Sequence, residues 1–164
     1  MSEARQIADG ITHTVRGPMW HGPALAELLV GVTPAMAAER PVPGAHTIWE
    51  LVLHLTSWAE IVRARLAAGG RGEVLPEEDW PPMPSDATDE AWRRTVAALE
   101  ASHVALAREV SSLGEAALRE GVPGREYTVA TMLRGVAEHG CYHGGQIALL
   151  KRALAVEPLD TGSG

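Results

Sequence analysis

Residues 47–66, TIWELVLHLTSWAEIVRARL, carry the pattern that decides the fold class. Thr47 and Glu50 have the spacing of a capping box, in which each side chain covers a free backbone N–H group at the start of a helix. Apolar residues then recur at the helical spacing, at Ile48, Leu51, Val52, Leu55, Ala59, Val62 and Leu66. The stretch therefore predicts an amphipathic helix, which Gly69-Gly70 would end.

Three more long helices are predicted on either side of this stretch. A weaker helical pattern runs from Glu3 to about Val15, and residues 89–113 place apolar side chains at steps of four and three. Thr128 can cap a last helix that runs to about Ala155. Short helices are expected after Gly22-Pro23 and Thr33-Pro34, because a proline is favoured at the first helical position.

These patterns predict an all-α protein without strands. We expect a four-helix bundle with short extra N-terminal helices and a long loop, residues 69–87, between the second and third long helices. A connection of that length is usually functional or disordered. The chain of 164 residues fits a single domain, which we assign to residues 1–156, with a frayed C-terminal tail at 157–164.

Composition limits the partners and the compartment. The formal net charge of −7 opposes binding to nucleic acid or to an anionic membrane surface, and no stretch is apolar enough to cross a bilayer. Residues 1–10 have no apolar run, so we expect no targeting signal. The single Cys141 leaves no internal disulfide, which fits a reducing compartment. We therefore expect a cytoplasmic protein.

His139 and His143 indicate a metal site. Residues four apart on a helix share a face, and this face also contains apolar side chains, so two imidazoles would lie in a core-facing stripe. A metal bound by both rings would satisfy them, and His54 on the second long helix is the best third ligand. Three hydrogen-bonded core histidines are the alternative. Three histidine ligands with an open position are typical of catalytic zinc, and nickel, iron and manganese are also compatible.

The residues around these histidines resemble two motifs of one family. The motifs are those that carry the metal ligands in the DinB/YfiT-like superfamily of metal-dependent four-helix bundles. The first is similar to Ile48–Leu55, which contains His54, and the second is similar to His139–Ile147. Trp20-His21-Gly22-Pro23 resembles a subgroup of it. Members include transferases and isomerases that use low-molecular-weight thiols such as bacillithiol, mycothiol or glutathione. The resemblance implies that His54, His139 and His143 bind one divalent transition metal, for which zinc and nickel are the first candidates.

Other residues are candidates for a pocket or for contacts to the metal ligands. Each also has a structural interpretation: the capping box explains Glu50, His103 fits a hydrogen-bonded core histidine, and Gln146 either orients a ligand or closes the pocket. The glycines of the last motif either make room for a substrate or let another helix approach closely. The full candidate set comprises Gln146, Tyr142, Trp58, Trp80, Trp20, His21, Glu50 and His103.

Two functions remain open from the sequence. The first is a metal-dependent enzyme acting on a small molecule, such as an S-transferase that uses a low-molecular-weight thiol as cofactor. The second is a non-catalytic, metal-stabilised bundle that acts as a binding or stress-response module. A homodimer is compatible with both. An open coordination position facing an accessible cleft would favour the enzyme, and a fourth protein ligand or a plug of Trp side chains would favour the binding module.

Overall fold

The computed structural model describes residues 1–67 and 72–155, and these residues form an all-helical fold. Within these ranges there is no strand, and the one β contact is an isolated bridge between Gly121 and Thr128. The four long helices are α1 (Glu3–Arg16), α4 (Ile48–Leu66), α6 (Asp89–Ser111) and α8 (Val129–Ala155). The short ones are α2 (Leu25–Leu29), α3 (Pro34–Ala38), α5 (Pro76–Asp79) and α7 (Glu115–Arg119). The predicted fold class is confirmed.

The predicted helix starts are present as hydrogen bonds. At the start of α4, the Glu50 N–H donates to the Thr47 hydroxyl at 3.1 Å, and the Thr47 N–H donates to the Glu50 carboxylate at 2.7 Å. At the start of α8, the Thr131 N–H donates to the Thr128 hydroxyl at 3.3 Å. These bonds satisfy N–H groups that have no partner inside the helix, and they fix where each helix begins.

The four long helices form a ring in which each contacts two others. Helix α6 packs against α1 and α4, and α8 packs against the same two helices from the other side. One cluster of buried apolar side chains includes Ile11, Leu106 and Leu133, and a second includes Trp49 and Ile147. Burial of these side chains is the main stabilising contribution, and it sets α4 and α8 face to face.

Gly140 allows a close approach between α8 and α1. A Cβ atom built at Gly140 would lie 2.3 Å from Thr14 Cγ2, which is far inside contact distance. At Gly144 the nearest atoms, on Leu25 and Leu28, would lie at an ordinary 3.5 Å, and at Gly145 nothing lies within 4 Å. Close packing therefore explains Gly140, whereas Gly145 borders open space.

Two segments differ from the sequence-based expectation. The long connection between α4 and α6 contains the one-turn helix α5, and α7 was not predicted at all. Helix α4 ends at Leu66, while the expected stop at Gly69-Gly70 and the tail 157–164 lie outside the described residues. No helix among the described residues is long and apolar enough to cross a membrane.

Candidate metal centre

Three histidine side chains from two facing helices meet at one point. His54 comes from α4, and His139 and His143 come from consecutive turns of α8. The Nε2 atom of His139 lies 3.0 Å from Nε2 of His54 and 2.9 Å from Nε2 of His143. One ligand atom from each of the three residues lies within 4.8 Å of the others, so the group could hold a metal ion.

Hydrogen bonds at the outer nitrogens fix two of the ring tautomers. Nδ1 of His54 lies 2.6 Å from the backbone carbonyl of Asp79, and Nδ1 of His143 lies 2.7 Å from the side-chain oxygen of Gln146. Both oxygens accept, so both Nδ1 atoms carry the proton. The Nε2 atoms of His54 and His143 therefore present lone pairs, and both are aimed at His139.

A metal ion fits this donor set better than hydrogen bonding does. The Nε2 atom of His139 holds at most one proton, so it cannot donate good bonds to both His54 and His143. Nitrogen ligands at ~2.0–2.1 Å from one ion are separated by roughly 2.9–3.4 Å at octahedral to tetrahedral angles. The measured separations of 3.0 and 2.9 Å match that range. Three converging lone pairs are what a divalent transition metal requires.

Burial keeps these rings in the form that binds metal. Desolvation lowers the pKa of His54 and of His143 below the ordinary value, and their side chains are almost entirely buried. Burial, together with repulsion from His143 and His54 when those rings are protonated, lowers the pKa of His139 to about 4. All three imidazoles are therefore neutral at pH 7, as ligation demands.

The connection between α4 and α6 supplies a second layer around His54. Besides its carbonyl bond, Asp79 places a carboxylate oxygen 3.4 Å from His54 Nδ1 and 2.7 Å from Nε1 of Trp58, which donates to it. The Trp80 ring stacks on His54 with ring centroids 3.9 Å apart. Trp80 also stacks on His46, with ring centroids 3.5 Å apart. The outer shell of such a site fixes ring orientation and ligand basicity.

Comparison with known families identifies the fold. A family model described as the DinB superfamily matches residues 20–147, which is more than half of the chain. The chain belongs to the DinB superfamily. No curated protein and no solved structure matches it. The resemblance inferred from the motifs around His54 and His139 is thus confirmed, and the matched residues include all three clustered histidines.

The DinB-superfamily site gathers some of the other candidate residues around the three histidines. Gln146 bonds to His143, and Trp58 and Trp80 lie next to His54. Tyr142 lies edge-on to His143 with ring centroids 4.9 Å apart, and most of its surface is exposed.

The remaining candidates are not members of the group of three histidines. Trp20 is fully exposed, and the exposed His21 places Nε2 3.4 Å from Cys141 Sγ rather than in the histidine cluster. Glu50 caps α4 and pairs with Arg40 at 2.8 Å. His103 is buried, and its Nδ1–H donates to the Leu99 carbonyl at 2.8 Å, as a core histidine would.

Sequence reasoning missed two contributors to the site. Asp79 acts through its backbone carbonyl as well as its side chain, so the acidic composition of the connection was the one available signal. No sequence pattern assigns a role to His46, which stacks on Trp80 and lies 3.5 Å from the Glu50 carboxylate. Both depend on how the connection between α4 and α6 folds back over α4, which no local pattern specifies.

A cleft lies next to the histidine cluster. Its volume is about 300 Å³, and it opens between α4 and α8 beside His139. Of the three histidines, only His139 lines it. The Trp58 ring also lines the cleft. It lies edge-on to His139 with ring centroids 6.0 Å apart, and its Nε1–H donates to the Asp79 carboxylate.

Proposed function

We propose that the protein binds one divalent transition metal ion through Nε2 of His54, His139 and His143, and that this metal is catalytic. The observation that carries the proposal is that the Nε2 lone pairs of His54 and His143 both point at Nε2 of His139. Among the described residues the group of candidate ligands contains no fourth side chain. Three protein ligands leave at least one position free for an exogenous donor, which is the arrangement of catalytic zinc sites.

The chain's own residues orient the ligands. The Asp79 carbonyl and the Gln146 side chain hold Nδ1–H of His54 and His143, which keeps both Nε2 atoms available. Trp80 shields one face of His54 from water. The ion itself, with zinc or nickel as our first choices, would lower the pKa of a bound water or thiol and so supply a nucleophile at neutral pH.

The proposed reaction is transfer of a low-molecular-weight thiol to an electrophilic small molecule. Membership of the DinB superfamily supports this class, and the cleft beside His139 offers space for a small substrate. In the transfer, the sulfur of the thiolate forms a bond to the electrophilic carbon. In a substitution the bond to the leaving group breaks and its electron pair departs with that group, whereas in an addition the π electron pair of the acceptor moves onto the far atom of the unsaturated bond, which takes up a proton from solvent. The thiol proton goes to solvent.

A non-catalytic binding module is the second candidate. The observation that favours it is the packing of two indole rings, Trp80 and Trp58, around His54. A metal covered in this way would act mainly to hold α4 and α8 together. The homodimer and the cytoplasmic location stay predictions under both functions.

Cobalt substitution separates the two functions. Cobalt-loaded protein should show visible absorption of a nitrogen-ligated site, and addition of the correct thiol from a panel should produce thiolate charge-transfer bands. His54→Ala should abolish both, while His13→Ala, a change at an exposed histidine outside the cluster, should abolish neither. If no thiol of the panel changes the visible absorption of the cobalt-loaded protein, the transferase is rejected and the metal-stabilised binding module is the function that is supported.

A further inference from the structure

The cleft beside His139 has apolar walls and one cation. Its apolar lining includes Trp58, Val62, Met132 and Val136, and Arg65 of α4 contributes the positive charge. Pockets of this kind, mostly apolar with few polar groups, are typical sites for small organic ligands. The polar groups then decide which ligand is accepted.

Arg65 is buried, and no carboxylate among residues 1–67 and 72–155 forms an ion pair with it. It is 7% exposed, and its Nε atom is buried with no hydrogen-bond partner. Its one hydrogen bond to a described residue runs from Nη1 to the Tyr127 hydroxyl at 3.4 Å, and its guanidinium lies 5.6 Å from the centre of the Trp58 ring. By contrast, Arg63 on the same helix pairs with both Glu60 and Glu109.

An unpaired buried charge is costly to the folded state. The free-energy cost of removing a guanidinium from water is offset only by an anion or by a full set of hydrogen-bond acceptors. The Tyr127 hydroxyl and the face of the Trp58 ring offset only a small part of this cost. Arg65 therefore lacks a structural explanation within the described chain. A ligand that brings a negative charge into the cleft would provide the missing partner.

We propose that Arg65 and Tyr127 bind the carboxylate of a small organic acid, whose apolar body lies against Trp58. The planar guanidinium matches a carboxylate with two parallel hydrogen bonds, and the Tyr127 hydroxyl can donate a third. One guanidinium balances one negative charge, so a monocarboxylate fits better than a dianionic phosphate. Benzoate and phenylacetate are simple probes of this chemistry.

The placement of the acid rests on the proposed function and specifies its substrate class. Arg65 and His139 line the same cleft, and the Trp58 ring contacts both. An acid held at Arg65 would therefore extend along Trp58 towards His139 and the metal that it ligates. The proposed electrophilic substrate is then a carboxylic acid, and Arg65 is its specificity-determining residue.

Calorimetric titration tests this proposal. Wild-type protein should bind benzoate or phenylacetate at least tenfold more tightly than benzamide, the neutral analogue. Arg65→Met should lose at least tenfold in affinity for the acid, and Arg63→Met, the matched control on the same helix, should bind normally. Equal affinity of wild type and Arg65→Met, no binding by any acid of the panel, or tighter binding of phenyl phosphate would overturn the proposal.

Two further measurements separate this proposal from a structural role and from the metal proposal. Because Arg65 has no carboxylate partner among the residues that the structure describes, Arg65→Met should leave the thermal midpoint unchanged or raised, whereas a large fall would indicate a structural arginine and count against the proposal. Titration of His54→Ala should still show acid binding, since Arg65 is intact. Acid binding without any metal in the wild type would reject the proposed function alone.

Discussion

Acidification should destabilise the metal-free protein through its three clustered histidines. A histidine whose pKa is lower in the folded than in the unfolded state takes up a proton on unfolding, so stability falls as pH drops below the unfolded value. Burial lowers the pKa of His54, His139 and His143 alike. The loss should therefore begin near pH 6.5, the ordinary value of a histidine, and continue towards pH 4.

The magnitude follows from His139, whose pKa of about 4 lies well below its ordinary value of 6.5. At ~1.36 kcal/mol per pKa unit, this histidine alone should lower the free energy of unfolding by at most about 2 kcal/mol between pH 7 and pH 5, because its ring is partly exposed and solvent screens the interactions. His54 and His143 add to the loss in the same direction. In a domain of this size, about 2 kcal/mol shifts the thermal midpoint by roughly 4–8 °C.

Urea unfolding of chelator-treated protein at pH 7 and pH 5 measures the effect. Because other groups also titrate in this range, the informative quantity is the difference between wild type and His139→Gln. The variant should lose less stability than wild type, by up to about 2 kcal/mol, and His13→Gln, at an exposed position, should behave as wild type does. An identical loss in wild type and His139→Gln would refute the assignment of a partly buried, neutral His139.

Two further predictions concern helix α8. Gly140→Ala should destabilise the protein by about 1–3 kcal/mol, because the new methyl group would lie 2.3 Å from Thr14 Cγ2. Gly145→Ala should instead stabilise it by up to ~1 kcal/mol, because nothing lies within 4 Å of the new methyl group. Thermal melts in which both variants shift the midpoint in the same direction would contradict this prediction. Gln146→Ala should weaken zinc binding by about 10–100-fold in a chelator competition, because His143 loses the acceptor at Nδ1; unchanged affinity would show that the bond does not support the site.

The local features of the fold were predictable because they depend on residues close in sequence. The capping box of Thr47 and Glu50 and the apolar period of residues 48–66 specify one helix without reference to the rest of the chain. The same holds for His139 and His143, whose spacing puts both rings on one face of α8. Placement of His54 opposite them required the bundle, which the apolar stripes and the family resemblance indicated.

Contacts through the connection between α4 and α6 could not be predicted in this way. Asp79 reaches His54 mainly through a backbone carbonyl, a group that every residue carries, so residue type gave no signal for that hydrogen bond. The stack of His46, Trp80 and His54 joins three parts of the chain that only the folded connection brings together. The lack of a carboxylate partner for Arg65 in the described part of the chain is likewise a property of its neighbours, since Arg63 has the same side chain and two carboxylate partners.

Metal content of the purified protein tests the central claim most directly. Elemental analysis after gel filtration should find close to one zinc or nickel ion per chain in the wild type and in His13→Ala. His143→Ala should contain almost none, because removal of one of three ligands leaves only two imidazoles. Metal content that is unchanged in His143→Ala, or absent from the wild type after growth and reconstitution with each metal, would contradict the account.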